Sequence, residues 1–349
     1  FELITKMIAK KSIFELEPTE LHAYMAFVQK PPQSWIGIKN VSRFIENNGI
    51  RLHNPEWRPF VARIAKSKHK QGHAPQTKHY QMNNQSIASI LAVLSTFYSF
   101  LQQSELISKN PVQMLRQKSR YLQKKQSQHV TRRLTQTQWV FVIETTKQLA
   151  DKNPDYERHF FIISAFYLLG LRISELAETP GRTPQMGDFY PDRYGCWWFT
   201  TVGKGNKQRD VAVPDSMLSA LRRYRMFLEL SSLPTRGEST PLVGKQRGFG
   251  GLGTRQIRNL VQKCFNHAAE ALREADQMHE ADDLEAATVH WLRHTAISAD
   301  VQHRPREHVR DDAGHESAII TDRYIDIDRL ARHGSAKDKP LLPEPQDAE

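Results

Sequence analysis

The sequence predicts a mainly α-helical protein of two domains, with one small antiparallel β-sheet in the second. Three observations carry this reading. The chain has 349 residues, enough for about two domains of ordinary size. Apolar residues recur at helical spacing, as in Ile87, Ile90, Leu91, Leu94, Phe97, Tyr98 and Leu101. The pattern changes between 195 and 213, where Cys196-Trp197-Trp198-Phe199-Thr200-Thr201-Val202 and Gln208-Arg209-Asp210-Val211-Ala212-Val213 are β-like. They flank Gly203-Lys204-Gly205-Asn206-Lys207, a tight-turn composition that makes a hairpin.

In chain order, residues 1–115 form the first domain and 18–111 its helical body. Thr19 begins a capped helix with apolar residues at helical spacing, and a second helix covers 84–102. Asn110-Pro111 ends the block. Lys66, Lys68 and Lys70, ahead of Gly72 and Pro75, mark a basic loop or helix end. Residues 116–134 are a linker candidate, with Lys118, Arg120, Lys124, Lys125, Arg132 and Arg133, no acids and no clear apolar period. It reads either as a strap along a DNA backbone or as a disordered spacer. The second domain, 135–335, carries helices near 137–149, 155–169, 172–177, 216–230, 254–274, 288–299 and 306–312. A short amphipathic piece at 326–333 and a Pro-rich tail at 336–349, expected to be disordered, close the chain. There are no internal repeats.

With 39% hydrophobic and 25% charged residues, the composition suits a protein with a sizeable core. No stretch approaches the ~20 apolar residues of a membrane span, and no signal pattern opens the chain, so no membrane partner is expected. The start at Phe1 points to a trimmed N-terminus. Two cysteines, Cys196 and Cys264, build neither a disulfide framework nor a four-cysteine metal site, and a reducing cytoplasm fits. The formal charge of +11 is uneven. From Trp57 to Ile143 there are fourteen Lys or Arg against one acid, Glu105, a local +13 that leaves the remainder near −2. Solvated charged faces usually mix both signs, so a band this one-sided is a phosphate-binding footprint, best matched by nucleic acid.

Chemistry concentrates near the C-terminus. His290-Trp291-Leu292-Arg293-His294-Thr295-Ala296 is followed by Ala313-Gly314-His315 and Thr321-Asp322-Arg323-Tyr324. Upstream lies Gly170-Leu171-Arg172-Ile173-Ser174-Glu175-Leu176. Two arginines, two histidines and a tyrosine are the set that attacks a phosphodiester without a metal or cofactor. Arginine forks orient non-bridging oxygens, histidines move protons, and a tyrosine hydroxyl can carry the phosphoryl group. His290 and Arg293 sit i,i+3 on one helix face. His290 and His294 have zinc-like i,i+4 spacing, but no third ligand accompanies them, so no metal is expected and His294 reads as structural. Arg172 at an apolar helix junction needs a partner, and Glu175 is within reach; alone, that pair could be a plain ion pair. Gly248-Phe249-Gly250-Gly251-Leu252-Gly253 lacks a preceding βαβ strand and a Lys-Ser/Thr ending, so it reads as an approach to a helix capped by Thr254 rather than a nucleotide cradle. Trp197, Trp198 and Phe199 read as sheet core rather than base-stacking residues.

These motifs resemble those of the tyrosine recombinases, also called the phage-integrase family, and look closest to the simple two-domain bacterial members. Leu169-Gly170-Leu171-Arg172-Ile173-Ser174-Glu175-Leu176 is similar to the first arginine box, and Val202 to Arg209 to the β-hairpin lysine motif. His290 to Ala296 resembles the His-x-x-Arg box, and Gly314-His315 with Tyr324 nine residues later resembles the last histidine and the nucleophile. The likeness covers about 137–333 and, more weakly, 86–111. Trp291 stands where an acidic residue is common, and Ala313 where a leucine usually precedes Gly-His.

The resemblance implies a helical core-binding domain that clamps DNA, joined to an α+β catalytic domain. It implies Tyr324 as nucleophile, Arg172 and Arg293 on the scissile phosphate, His290 and His315 assisting proton transfer, Lys204 protonating the 5′-oxygen, and Glu175 in support. It also implies a homotetramer on two double-stranded DNA sites, accessory DNA-bending or directionality proteins, and a bacterial cytoplasm with nucleoid association. The product would be integration, excision or resolution of a mobile element or replicon through a 3′-phosphotyrosine. A type IB topoisomerase uses the same constellation to relax DNA, and a non-catalytic sequence-specific DNA-binding protein would lack one of these groups.

Overall fold

The computed structural model describes residues 10–64, 72–118 and 132–315. The chain divides into two compact units, Phe1–Val130 and Thr131–Glu349. Lys66, Lys68, Lys70, Arg120, Lys124, Lys125, Tyr324 and the pieces expected at 326–333 and 336–349 lie outside the described residues.

In the first unit, α1 (Pro18–Gln29) starts one residue ahead of the expected capping Thr19. Pro18 occupies the first turn, where a missing N–H costs nothing, and the Glu20 carboxylate accepts the Glu17 N–H at 2.9 Å. Its Leu21, Tyr24, Met25 and Val28 share a core with the stripe of α2 (Asn84–Gln103). The side chain of Asn83 caps α2 by accepting the Ser86 N–H at 2.7 Å. By length and composition α2 could cross a membrane, which the sequence reading did not anticipate, but Ile87, Leu91, Leu94, Tyr98 and Leu101 pack into this core.

Two expectations for this unit are corrected. Asn110-Pro111 does not end the helical block but starts α3 (Pro111–Lys118). The buried Asn110 amide donates to the Ser95 carbonyl and the Ser99 hydroxyl at 3.0 Å each, and its oxygen accepts the Val112 N–H at 3.0 Å. Val112 and Leu115 then complete the core, a pair too short to register as a period. The linker expected from residue 116 therefore begins inside a helix that holds Arg116 and Lys118. The unit is also not purely helical. A hairpin joins β2 (Phe44–Asn47) to β3 (Ile50–His53), and a short parallel pair joins β1 (Ile36–Gly37) to β4 (Phe60–Val61). The hairpin turns at Asn48-Gly49, both at positive φ (50° and 75°), the conformation for which Asn-Gly is selected. Both strands are exposed, so no alternating burial marks them in the sequence.

The second unit opens with α4 (Gln136–Lys152), where Thr135 and Gln138 exchange reciprocal capping bonds of 3.1 and 3.0 Å. Next, α5 (Glu157–Leu168) is apolar on nearly every side; Phe161, Ile162, Ile163, Ala165 and Phe166 are all buried. Burial of each large side chain contributes roughly 1.5–3 kcal/mol, so α5 is the post around which the unit is built. It is followed by the one-turn helix α6 (Ile173–Leu176).

The sheet has three antiparallel strands, β5 (Phe189–Pro191), β6 (Trp197–Val202) and β7 (Gln208–Ala212), in that order; β5 was not expected. Phe199 pairs with Phe189 on one side and Val211 on the other, and all three are buried. Trp197 and Trp198 are only half-buried, and the Trp198 indole donates to Asp192 at 3.1 Å. Helices α7 (Asp215–Phe227), α8 (Thr254–Glu274), α9 (Met278–Ala286), α10 (Val289–His303) and α11 (Arg306–Ala313) complete the described chain. Helix α9 was not anticipated, and α8 is capped at Gly253 rather than Thr254, with Gln256 accepting the Gly253 N–H at 3.0 Å.

Candidate active site

At the C-terminal end of α11 three of the sequence-predicted residues, Arg172, Arg293 and His315, come together. A helix leaves its last carbonyls without intrahelical donors and carries partial negative charge there. Here three consecutive carbonyls are each taken by a different arginine. Asp312 O accepts Arg209 Nε at 2.8 Å, Ala313 O accepts Arg293 Nη2 at 2.7 Å, and Gly314 O accepts Arg172 Nη2 at 3.0 Å. Gly314 ends the helix in the left-handed conformation (φ 61°), and the His315 N–H returns to the Arg310 carbonyl at 3.1 Å.

Each arginine arrives by a different local device. Gly170, at φ 57°, ends the α5 segment, and Arg172 then caps α6. Arg293 comes from the first turns of α10; it is only 6% exposed, and it also donates to the carbonyl of Gly170. Arg209 comes from β7, beside the turn that begins at Gly203.

Glu175 joins two of them. Its side chain is 0% exposed, and its carboxylate accepts four donors. These are the Arg172 backbone N–H at 2.7 Å, Arg172 Nη1 at 2.9 Å, and both terminal nitrogens of Arg209 at 2.6 and 2.9 Å. Burial pushes this carboxyl's pKa up, but the Arg209 fork, the Arg172 N–H and the charge of Arg293 outweigh it and hold it below the usual range. The expected Arg172–Glu175 pair is thus present, but as half of an Arg-Glu-Arg cluster around a buried carboxylate. A Cβ on Gly203 would lie 3.0 Å from Arg209 Nη1, 3.2 Å from Glu175 Oε1 and 3.3 Å from Arg172 Nη1. The turn that carries the backbone of Lys204 therefore starts against this cluster.

His315 is half-buried with Nε2 3.4 Å from Arg293 Nη2. Burial and then the charges of Arg293, Arg172 and Arg209 lower its pKa to about 4. It is neutral at neutral pH, and since a guanidinium only donates, Nε2 is the acceptor and the ring proton belongs on Nδ1. His290 stands exposed in the first turn of α10, three residues before the buried Arg293. His294 is half-buried, its pKa lowered by burial and then by His290, Arg293 and Arg132. Arg132 is exposed and Arg133 half-buried at the start of the second unit. Chemically, two guanidiniums and a neutral imidazole make a site suited to an anionic, tetrahedral oxygen centre.

No protein-family profile matches the chain. A stretch of 265 residues is 26% identical to the tyrosine recombinase XerC of Caldanaerobacter subterraneus subsp. tengcongensis, covering 73% of this chain and 62% of that protein. The chain is a relative of the tyrosine recombinases. XerC of Neisseria meningitidis serogroup B is 29% identical over 178 residues, 50% of each chain. The chain spans between 49% and 62% of the length of such curated relatives. Among solved structures, the Tn1549 transposon integrase in complex with transposon right-end DNA overlays at a TM-score of 0.48 and 16% identity, covering 73% of this chain and 80% of that one. The XerA recombinase overlays at 0.43 and 16% identity, covering 97% and 89%.

In this tyrosine-recombinase relative, sequence reasoning overlooked Arg209 and Asp312. A signal for Arg209 existed: it stands two residues before the buried Val211 and so shares its face, which puts a cation on the inward side of a strand, where it must find a buried acceptor. Asp312 accepts the Ala212 N–H at 3.3 Å and pairs with Arg304, tying α11 to β7. No comparable cue marks it.

Proposed function

We propose that this chain is a site-specific DNA recombinase that cuts and rejoins DNA through a 3′-phosphotyrosine. The observation that carries the reading is the convergence of Arg172, Arg293 and a neutral His315 at the end of α11. In this reading Arg172 and Arg293 grip the non-bridging oxygens of the scissile phosphate. Tyr324, nine residues beyond His315, attacks phosphorus. Its oxygen forms the new P–O bond as the bond to the 5′-oxygen breaks. His290 and His315 assist the transfer of the phenol proton and hold the transition state, and Lys204 protonates the departing oxygen.

A phenol of pKa ~10 is a poor nucleophile at neutral pH. Two adjacent guanidiniums and an imidazole acceptor favour its ionised form. The bond energy stays in the phosphotyrosine, so rejoining needs neither ATP nor a metal. Two sites exchange strands within a homotetramer, and the product is integration, excision or resolution. DNA is held by the basic residues Lys66, Lys68, Lys70, Lys118, Arg120, Lys124, Lys125, Arg132 and Arg133, the first domain clamping the duplex and the segment from 116 to 134 following its backbone. The reaction takes place in the cytoplasm, at the nucleoid.

The test uses a duplex selected from a random pool by detergent-stable attachment to the protein. Tyr324→Phe removes only a hydroxyl, so attachment to that duplex is abolished while equilibrium binding stays within a few-fold. Attachment that persists in Tyr324→Phe refutes Tyr324 as nucleophile, and failure to recover any attached duplex refutes the recombinase reading.

A further inference from the structure

We propose that Arg209 is a positioning residue that keeps Arg172 available to the scissile phosphate by occupying the other half of the Glu175 carboxylate. The inference rests on the reading of Arg172 as a phosphate ligand. Arg209 is placed to act through other residues. Its side chain is 12% exposed, and all three of its nitrogens donate to the protein: two to Glu175 and one to the Asp312 carbonyl. Arg172 differs, with 27% of its side chain exposed and a single side-chain bond to Glu175.

The division of the carboxylate explains why both are needed. Each Glu175 oxygen receives one Arg209 nitrogen and one Arg172 donor, the Arg172 side chain on one oxygen and its backbone N–H on the other. Carboxylate and guanidinium prefer a two-bond fork. Arg209 already forms that fork, so Arg172 cannot, and its Nη2 reaches the Gly314 carbonyl instead. Without Arg209, the buried carboxylate is left with Arg172 as its bonded cation and the charge of Arg293 nearby. It then draws Arg172 into the fork and away from both Gly314 and the phosphate. Arg209 also packs where a Cβ on Gly314 would lie 3.0 Å from its Cδ, so the same side chain fixes the step before His315.

The experiment measures single-turnover cleavage of the selected duplex in two forms, with an ordinary phosphate and with a neutral methylphosphonate at the scissile position. The variants are Arg172→Ala, Arg209→Gln, Arg209→Lys and Arg209→Gln combined with Glu175→Gln. Arg209→Gln is expected to slow cleavage of the phosphate by ~10–100-fold, as for other groups that orient a site's ligands, with DNA affinity within a few-fold. Methylphosphonate, which needs less charge neutralisation, relieves Arg172→Ala and Arg209→Gln alike. Removing the Glu175 charge restores part of the rate lost in Arg209→Gln, because nothing then recaptures Arg172. If Arg209→Gln does not fold, Arg209→Lys, which keeps the charge but cannot fork, is judged by the same comparison of the two substrates.

Wild-type cleavage by the Arg209 variants, with Arg172→Ala impaired, overturns the inference and leaves the recombinase reading intact. Equal slowing on both substrates shows a merely structural role and also overturns it. Wild-type cleavage by Arg172→Ala overturns the reading beneath it.

Discussion

Gly170 and Gly314 have nearly the same backbone conformation, φ 57° and 61°, but different surroundings. Replacing either with alanine forces a side chain into the left-handed region, at roughly 1–2 kcal/mol. At Gly170 the new Cβ has room, since its nearest neighbour is Ile297 Cγ1 at 3.8 Å. At Gly314 it would lie 3.0 Å from Arg209 Cδ, 3.1 Å from Nε and 3.2 Å from Nη1. Those atoms belong to a long side chain, but one pinned by Glu175 and by the Asp312 carbonyl, so it cannot swing aside without breaking charged bonds. Such overpacking adds about 1–3 kcal/mol. Gly314→Ala is therefore expected to cost more than Gly170→Ala, each kcal/mol lowering the melting temperature of a unit this size by ~2–4 °C. Calorimetry of the two variants measures the difference, and covalent attachment to the selected duplex should fall in Gly314→Ala. Equal melting temperatures, with normal attachment by Gly314→Ala, would refute the close approach of Arg209 to Gly314.

Two further outcomes follow from charge. His315 is held at about 4, below the ~6.5 of an unfolded histidine, by burial and the neighbouring arginines. Between those values the unfolded chain binds a proton that the folded chain excludes, so stability rises as pH rises from about 4 to 6.5 and is fully gained above that. Urea midpoints across this range should show a slope that His315→Gln flattens; an unchanged slope would assign it to another group. Neutralising Lys124, Lys125, Arg132 and Arg133 together should weaken specific and non-specific DNA binding about equally. It should also make the slope of log K against log salt shallower by about 0.9 for each phosphate that is no longer neutralised. An unchanged slope would make the stretch a spacer.

What could be read from the sequence was whatever depended on local spacing. Arg172 and Glu175 are three residues apart, and their hydrogen bonds follow from that interval. His290 and Arg293 lie on one helix, and Gly-His marks the end of another. The long helices showed themselves by the period of their apolar residues. What stays hidden depends on partners distant along the chain. Arg209 meets Glu175 thirty-four residues away and Asp312 one hundred and three residues away, and no interval records either meeting. The β2–β3 hairpin is exposed and has no burial pattern; only the Asn48-Gly49 dipeptide announces it. Helix α3 is too short for its two core residues to form a period.

The carbonyl anchoring of the three arginines also accounts for one departure from the family's usual pattern. Ala313 stands where a leucine commonly precedes Gly-His, yet Arg293 bonds to its backbone oxygen, which every residue type supplies. The side chain at 313 need only be apolar and fit its buried place beside Ile297 and Val309. Recognition through the main chain thus separates two kinds of tolerance along three neighbouring positions. The residue at 313 can drift in size as its surroundings repack, the carboxylate at 312 is tied to its own cation, and the glycine at 314 is held to a single choice by the room it leaves. A lineage could alter the middle letter of this motif repeatedly without the arginine that grips it registering the change.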